Sequence, residues 1–270
     1  MAFFVVKYLW YLKKIFIFGP HTNHLIHTDM ASLSEFGHAK NIASLHLLNT
    51  NIVVLGATYN PSNPKILLAN LQAIYDTAFA AQERVNYLLA PYAVAVNERE
   101  AIFRSLNKEL TRLTKAYKAT EGVTKAQLDD FMTIVRKVKG IKKSKGNPST
   151  NPNEEQDSHS ISQLSYDQRT NTMDLLISLL KHTPNYNPNE TEYQIATYEA
   201  KKTEMLAKTL AVTDTFIPFN NARSTRNAIL YHANDNVVDV AGIAKAYVST
   251  ILDTHSEQYK AIARIRFKKR

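Results

Sequence analysis

Residues 59–61 read Tyr59-Asn60-Pro61, and 127 positions later the chain reads Tyr186-Asn187-Pro188. Holding that offset without a gap from Tyr59 to Phe103 leaves 12 of 45 positions identical. The matches include Val85 with Val212, Pro91 with Pro218, Ala95 with Ala222, Arg99 with Arg226 and Ile102 with Ile229. Unrelated segments would share roughly three at average residue usage. A fold must therefore serve two similar segments at once, so the sequence predicts a tandem duplication of one helical unit. The expected fold class is all-α: two homologous helical-bundle units, each with a long proline-kinked helix, packed about a pseudo-two-fold.

Hydrophobic spacing carries the helical assignment. Ile42, Leu45, Leu48, Ile52 and Leu55 recur at three- and four-residue steps, which is the apolar stripe of a helix over 34–54. Gly56 and the Tyr59-Asn60-Pro61 turn end it. Asn63 as N-cap with Pro64 behind it starts the next helix. Leu67, Leu71, Ile74, Ala78, Ala81, Val85, Leu88, Tyr92, Ala95, Arg99 and Ile102 then alternate steps of four and three, a coiled-coil seam of about 60 Å. The second copy carries its stripe through Ile195, Tyr198, Met205, Val212, Phe216 and Phe219. Pro91 and Pro218 fall inside these helices, where proline removes a hydrogen bond at a cost of about 3 kcal/mol. The predicted reversals lie near Arg104-Ser105 and at 231–236, where the second copy gains three residues. Beyond them Leu110, Leu113 and Tyr117 pair with Val240, Ile243 and Tyr247. A shorter last helix pairs Phe131 with Tyr259. Leu175, Leu176, Leu179 and Leu180 line the first helix of the second copy.

Four segments follow: an N-terminal segment 1–29, a helical repeat unit 30–139, a flexible linker 140–160, and a second unit 161–270. The linker is rich in Asn, Pro, Ser and charge, with little to bury. Seven glycines in 270 residues, against roughly nineteen at average usage, suit long helices and leave few phosphate-cradling loops. There is no cysteine, which excludes disulfides, thiolate metal sites and a cysteine nucleophile.

The segment 1–18, MAFFVVKYLWYLKKIFIF, is apolar apart from Lys7, Lys13 and Lys14. Those lysines make it a poor spanning helix and sit in the wrong place for a secretory signal. Three readings stand: an upstream mis-start ahead of Met30, a membrane-surface anchor or atypical signal, or a packed helix. Ser32 and Glu35 form a capping-box pattern behind Met30.

Few residues point to chemistry. The two Tyr-Asn-Pro triplets are either turns plugged by a tyrosine or a twinned binding site. Arg99 and Arg226 lie on the apolar seam, where a guanidinium sets helix register or grips an anion. Glu35-x-x-His38 has di-iron ligand spacing but lacks the second such pair that a site needs. Asn189-Glu190-Thr191 matches a glycosylation sequon at a helix-start turn. No nucleophile elbow, phosphate loop, zinc-protease motif or dinucleotide fingerprint occurs, so the expectation is no catalytic, cofactor or metal residue. The formal charge of +9 favours anionic partners. Lys260, Arg264, Arg266, Lys268, Lys269 and Arg270 form a basic end that either complements a helix dipole or contacts phosphates of nucleic acid or lipid.

The stretches MASLSEFGHAKNIASLHLLNTNIVVLGATYNPSN, LAPYAVAVNERE and QLSYDQRTNTMDLLISLLKHTPNYNPNE resemble a family of bacterial helical proteins with no known activity. The resemblance spans 30–267 and implies a start at Met30; it brings no functional residue. The expected function is a non-enzymatic cytoplasmic scaffold or interaction protein binding protein, self or other. The alternatives are a nucleic-acid- or ribosome-associated protein and, if residues 1–18 are present, a membrane-associated one.

Overall fold

The computed structural model describes residues 35–141 and 165–269. Residues 38–270 form one compact unit; of a second, 1–37, only 35–37 are described. Every regular element among the described residues is helical. In chain order these are α1 (Glu35–Leu55), α2 (Leu68–Lys118), α3 (Lys125–Val138), α4 (Tyr166–His182), α5 (Ile195–Asn227), α6 (Val237–Ile251) and α7 (Glu257–Ala263). Two 3₁₀ turns, Gly56–Thr58 and Pro64–Ile66, lie between α1 and α2, one, Thr191–Tyr193, precedes α5, and a π-turn, Ala228–His232, follows α5.

Side-chain caps set several boundaries. Thr124 and Gln127 form a reciprocal capping box at the start of α3, satisfying two backbone donors that the first turn leaves open. Ser165, Asn236 and Ser256 cap α4, α6 and α7 through their side chains. Asn63 accepts from the Lys65 amide with Pro64 behind it, as the sequence predicts.

The framework is the pairing of α2, 51 residues long, with α5, 33 residues long. They run antiparallel: Gln82 reaches Arg226, Tyr92 stacks on Phe219 at 5.4 Å, Glu98 pairs with Lys208 at 2.9 Å, and Glu109 with Lys201 at 3.4 Å. This register sets Pro91 level with Pro218. Both prolines lie within continuous helix. The carbonyls they free, on Tyr87 and Asp214, belong to exposed residues, so water can take the lost hydrogen bonds.

Two apolar cores lie at opposite ends of this pair, and each draws on both halves of the chain. One joins Leu45, Leu48, Ile52 and Leu71 to Leu230, Val240, Ala244 and Val248. The other joins Leu106, Leu110, Leu113, Phe131 and Val135 to Met173, Leu176, Leu180 and Met205. The front of the first half is thus completed by the back of the second, and the front of the second by the back of the first. The expected boundary between 139 and 161 divides the chain but does not divide either core.

Three sequence expectations need correction. The chain does not reverse at Arg104-Ser105, because α2 runs unbroken to Lys118; Phe103, Leu106 and Leu110 keep its apolar face buried through that stretch, and no glycine or proline interrupts it. At 231–236 the helix does break, through the π-turn that absorbs inserted residues, and α6 then packs beside α2. Leu175 is 58% exposed and Ile243 42% exposed. Both neighbour buried positions, Leu176 and Ala244, that take the core-facing side of the turn. The Ser32 end of the predicted capping box, the Glu35 side chain, most of the linker and 1–29 lie outside the described residues.

Because both cores hang on one helix pair, damage to either should be felt by the whole unit. Leu45→Ala and Leu110→Ala, each at a fully buried site, are expected to cost about 2–5 kcal/mol. Urea unfolding followed by circular dichroism should show one shared transition in both variants.

Candidate functional site

Tyr59 and Tyr186 are buried plugs held by equivalent hydrogen bonds. The Tyr59 hydroxyl donates to the Ile66 carbonyl at 2.7 Å and the Tyr186 hydroxyl to the Tyr193 carbonyl at 2.6 Å, each seven residues on. Asn70 donates to the Pro64 carbonyl and Thr197 to the Thr191 carbonyl, again 127 positions apart. Each plug ring meets a tyrosine from the other half: Tyr59 meets Tyr247 edge-on at 5.3 Å, and Tyr186 meets Tyr117 at 6.1 Å. Pro61 is buried and Pro188 half-buried, while Asn60 and Asn187 are exposed. Burial raises the Tyr59 hydroxyl to about 12, with Tyr247 adding to the shift, and burial raises Tyr186 also.

Arg99 and Arg226 occupy unlike surroundings. Arg226 is 0% exposed; it donates to Asn227 Oδ1 at 3.1 and 3.3 Å and to Gln82 Oε1 at 3.4 Å, across the seam. Arg99 is half-buried with its guanidinium over the Tyr166 ring at 4.0 Å. Arg169, not singled out by the sequence, completes this second cluster. It donates to the Val138 and Phe103 carbonyls at 2.8 and 3.3 Å and lies over Phe103 at 4.7 Å. Gly140, at φ +70°, admits it, since a Cβ there would meet its side chain at 3.2 Å. No spacing rule could have paired Arg169 with residues 31 and 66 positions earlier.

His38 is buried, and its Nδ1 lies 2.9 Å from the Tyr231 hydroxyl. No group of three or more metal-ligating side chains occurs among the described residues. The sequon Asn189-Glu190-Thr191 does sit at a helix-start turn, Glu190 being the N-cap position of the 3₁₀ turn.

The basic C-terminal end is a strap. Helix α7 stops at Ala263, Arg264 is its C-cap, and the chain continues without helix. Asn41 grips the strap with both ends of its amide, donating to the Lys268 carbonyl and accepting from its N–H, both at 2.9 Å. Ser44 donates to the Arg266 carbonyl. Lys245 donates to the carbonyls of Ala263 and Ile265; burial, then Arg266, lowers its pKa. Ile265 and Phe267 face inward, Arg266 and Lys268 outward. Lys260 pairs with Glu257, and Lys269 with Asp239 at 3.4 Å. A hydrogen bond from Asn236, then Lys269, holds the Asp239 carboxyl below its ordinary range. Arg270 lies outside the described residues.

Two surfaces without sequence warning stand out. One is a groove of about 730 Å³ between α2 and the start of α5, lined by Arg104, Lys108, Arg112, Lys201, Glu109 and Glu192 among others. A second trough of about 610 Å³ shares Arg112 and Tyr193 with it and adds Lys115 and Asn187. The other surface is the waist of the helix pair. The α5 face that meets α4 through Glu199–Lys181 and Lys202–Asp174 continues beyond it as Leu206, Leu210 and Ile217, which are 45, 53 and 53% exposed. Leu89 of α2 is 47% exposed on the same stretch.

No family model, curated protein or solved structure matches the chain. No helix among the described residues is long and apolar enough to cross a membrane.

Two outcomes follow for the plugs and the strap. A buried tyrosine with a raised pKa holds its proton more tightly folded than unfolded. Its stability contribution is therefore intact below pH 10 and lost as pH rises toward 12. Ultraviolet titration should show Tyr59 and Tyr186 ionising only with alkaline unfolding, and Tyr59→Phe should lose the Tyr59 part of that late step. Asn41→Ala should cost about 1–3 kcal/mol and speed hydrogen exchange at the Lys268 amide.

Proposed function

We propose that this chain is a non-enzymatic, cytoplasmic helical scaffold, derived by internal duplication, that begins its assembly by pairing with a second copy. The observation that carries the reading is the uncovered apolar stripe Leu206, Leu210 and Ile217 on α5. At steps of four and seven these residues share one helix face. The protein fills the adjoining part of that face with a helix of its own, α4.

A second copy suits this place for a physical reason. The stripe contains no charge, so a two-fold contact that brings it against itself sets no like charges together. It spans about 16 Å of helix, and an antiparallel partner α5 presents the same spacing in reverse. The added contact would turn the two-helix waist into a four-helix layer, the usual way such pairs bury a wide apolar face. The matched plugs, Tyr59 and Tyr186, and the level placement of Pro91 and Pro218 support the duplication.

Sedimentation equilibrium tests the reading. The full chain should be dimeric, and Leu210→Glu with Ile217→Glu should make it monomeric at unchanged helical content. A wild-type monomer up to its solubility limit, or a dimer indifferent to both substitutions, would overturn it.

A further inference from the structure

We propose that the groove beside α2 binds the backbone of a single-stranded nucleic acid, a role separate from the waist. Arg104, Lys108, Arg112 and Lys115 stand four, four and three residues apart, so they line one face of α2 over about 16 Å. That length exceeds a single phosphate or mononucleotide and suits a run of phosphates. The two connected hollows follow the same row.

Their electrostatics leave cations free for a ligand. Lys108 and Lys115 make no ion pair among the described residues. Arg112 meets Glu192 only at 4.0 Å, and Arg104, 76% exposed, meets Glu100 at 3.6 Å. Exposed pairs of this kind are weak and yield readily to a phosphate. Glu109 and Glu192 face the main groove against four cations; Glu121 and Glu190 face the outer trough against Arg112 and Lys115. The positive excess therefore lies in the main groove. Tyr193 belongs to both hollows and supplies a ring for a base, while Asn187 offers an amide beside it. A cationic track with an aromatic platform is the recurring arrangement for single strands.

The row is also specific to one half of the chain. At an offset of 131, which sets buried Leu106, Leu110, Leu113 and Tyr117 against buried Val237, Ala241, Ala244 and Val248, Arg104, Lys108, Arg112 and Lys115 correspond to Asp235, Asp239, Ile243 and Ala246, none of them basic. There Lys65, counterpart of Glu192 at the offset of 127, pairs with Asp235 at 2.5 Å. The helical framework is thus built at the other end without these cations, so folding does not demand them.

Fluorescence anisotropy of the full chain with a labelled oligouridylate tests the proposal. Binding should weaken linearly in log salt, and Lys108→Gln and Lys115→Gln should each lower the slope by about 0.7. Tyr193→Ala should weaken binding by about ten- to a hundredfold. Arg266→Gln with Lys268→Gln, on the strap, should leave affinity unchanged. Circular dichroism checks that the variants stay folded, the exposed basic ones and Tyr193→Ala, whose ring is half-buried against the second core, alike. Absent binding at low salt, binding indifferent to Lys108 and Lys115, binding carried by the strap instead, or full competition by inorganic pyrophosphate at equal phosphate would each overturn the assignment.

Discussion

The antiparallel seam between α2 and α5 is the contact on which the rest depends. It is long and narrow, and its middle is closed by small and aromatic residues: Val85, Ala95, Tyr92 and Phe219. Two helices alone bury only one stripe each, which seldom stabilises a structure of this length. Each end therefore recruits further helices, α1, α6 and α7 at one and α3 and α4 at the other. The middle recruits none among the described residues, and it is there that Leu89, Leu210 and Ile217 are left facing outward.

Much of this was legible in the sequence. Three- and four-residue spacing identified the seam because burial on a helix follows angular position, and Leu71, Ala78, Val85, Ala95 and Ile102 are all buried. The Asn63-Pro64 start was legible because capping chemistry is local. What escaped was non-local. A reversal near Arg104-Ser105 would let each half fold upon itself as a separate bundle. Once each half folds against the other, no such reversal is needed, and α2 passes straight through.

The candidate surfaces escaped for a related reason. The row from Arg104 to Lys115 is unremarkable as a solvated helix face; it becomes a groove only when Tyr193 and Glu192 arrive from the far side. The basic end, conspicuous in the sequence, has its backbone committed to Asn41, Ser44 and Lys245. Charge density along a chain says where cations are, whereas packing decides which backbone they ride on and what lies opposite.

The clasp between Asn41 and Lys268 joins residues 227 positions apart. A chain emerging from the ribosome makes its α1 early, and the part of that helix's apolar face that α6 and the strap cover stays open until those much later segments follow. Contacts of such separation slow the search for the native state. During that interval the nascent protein is exposed to premature aggregation, and the order of synthesis, rather than final stability, becomes the step at which a chaperone would matter most.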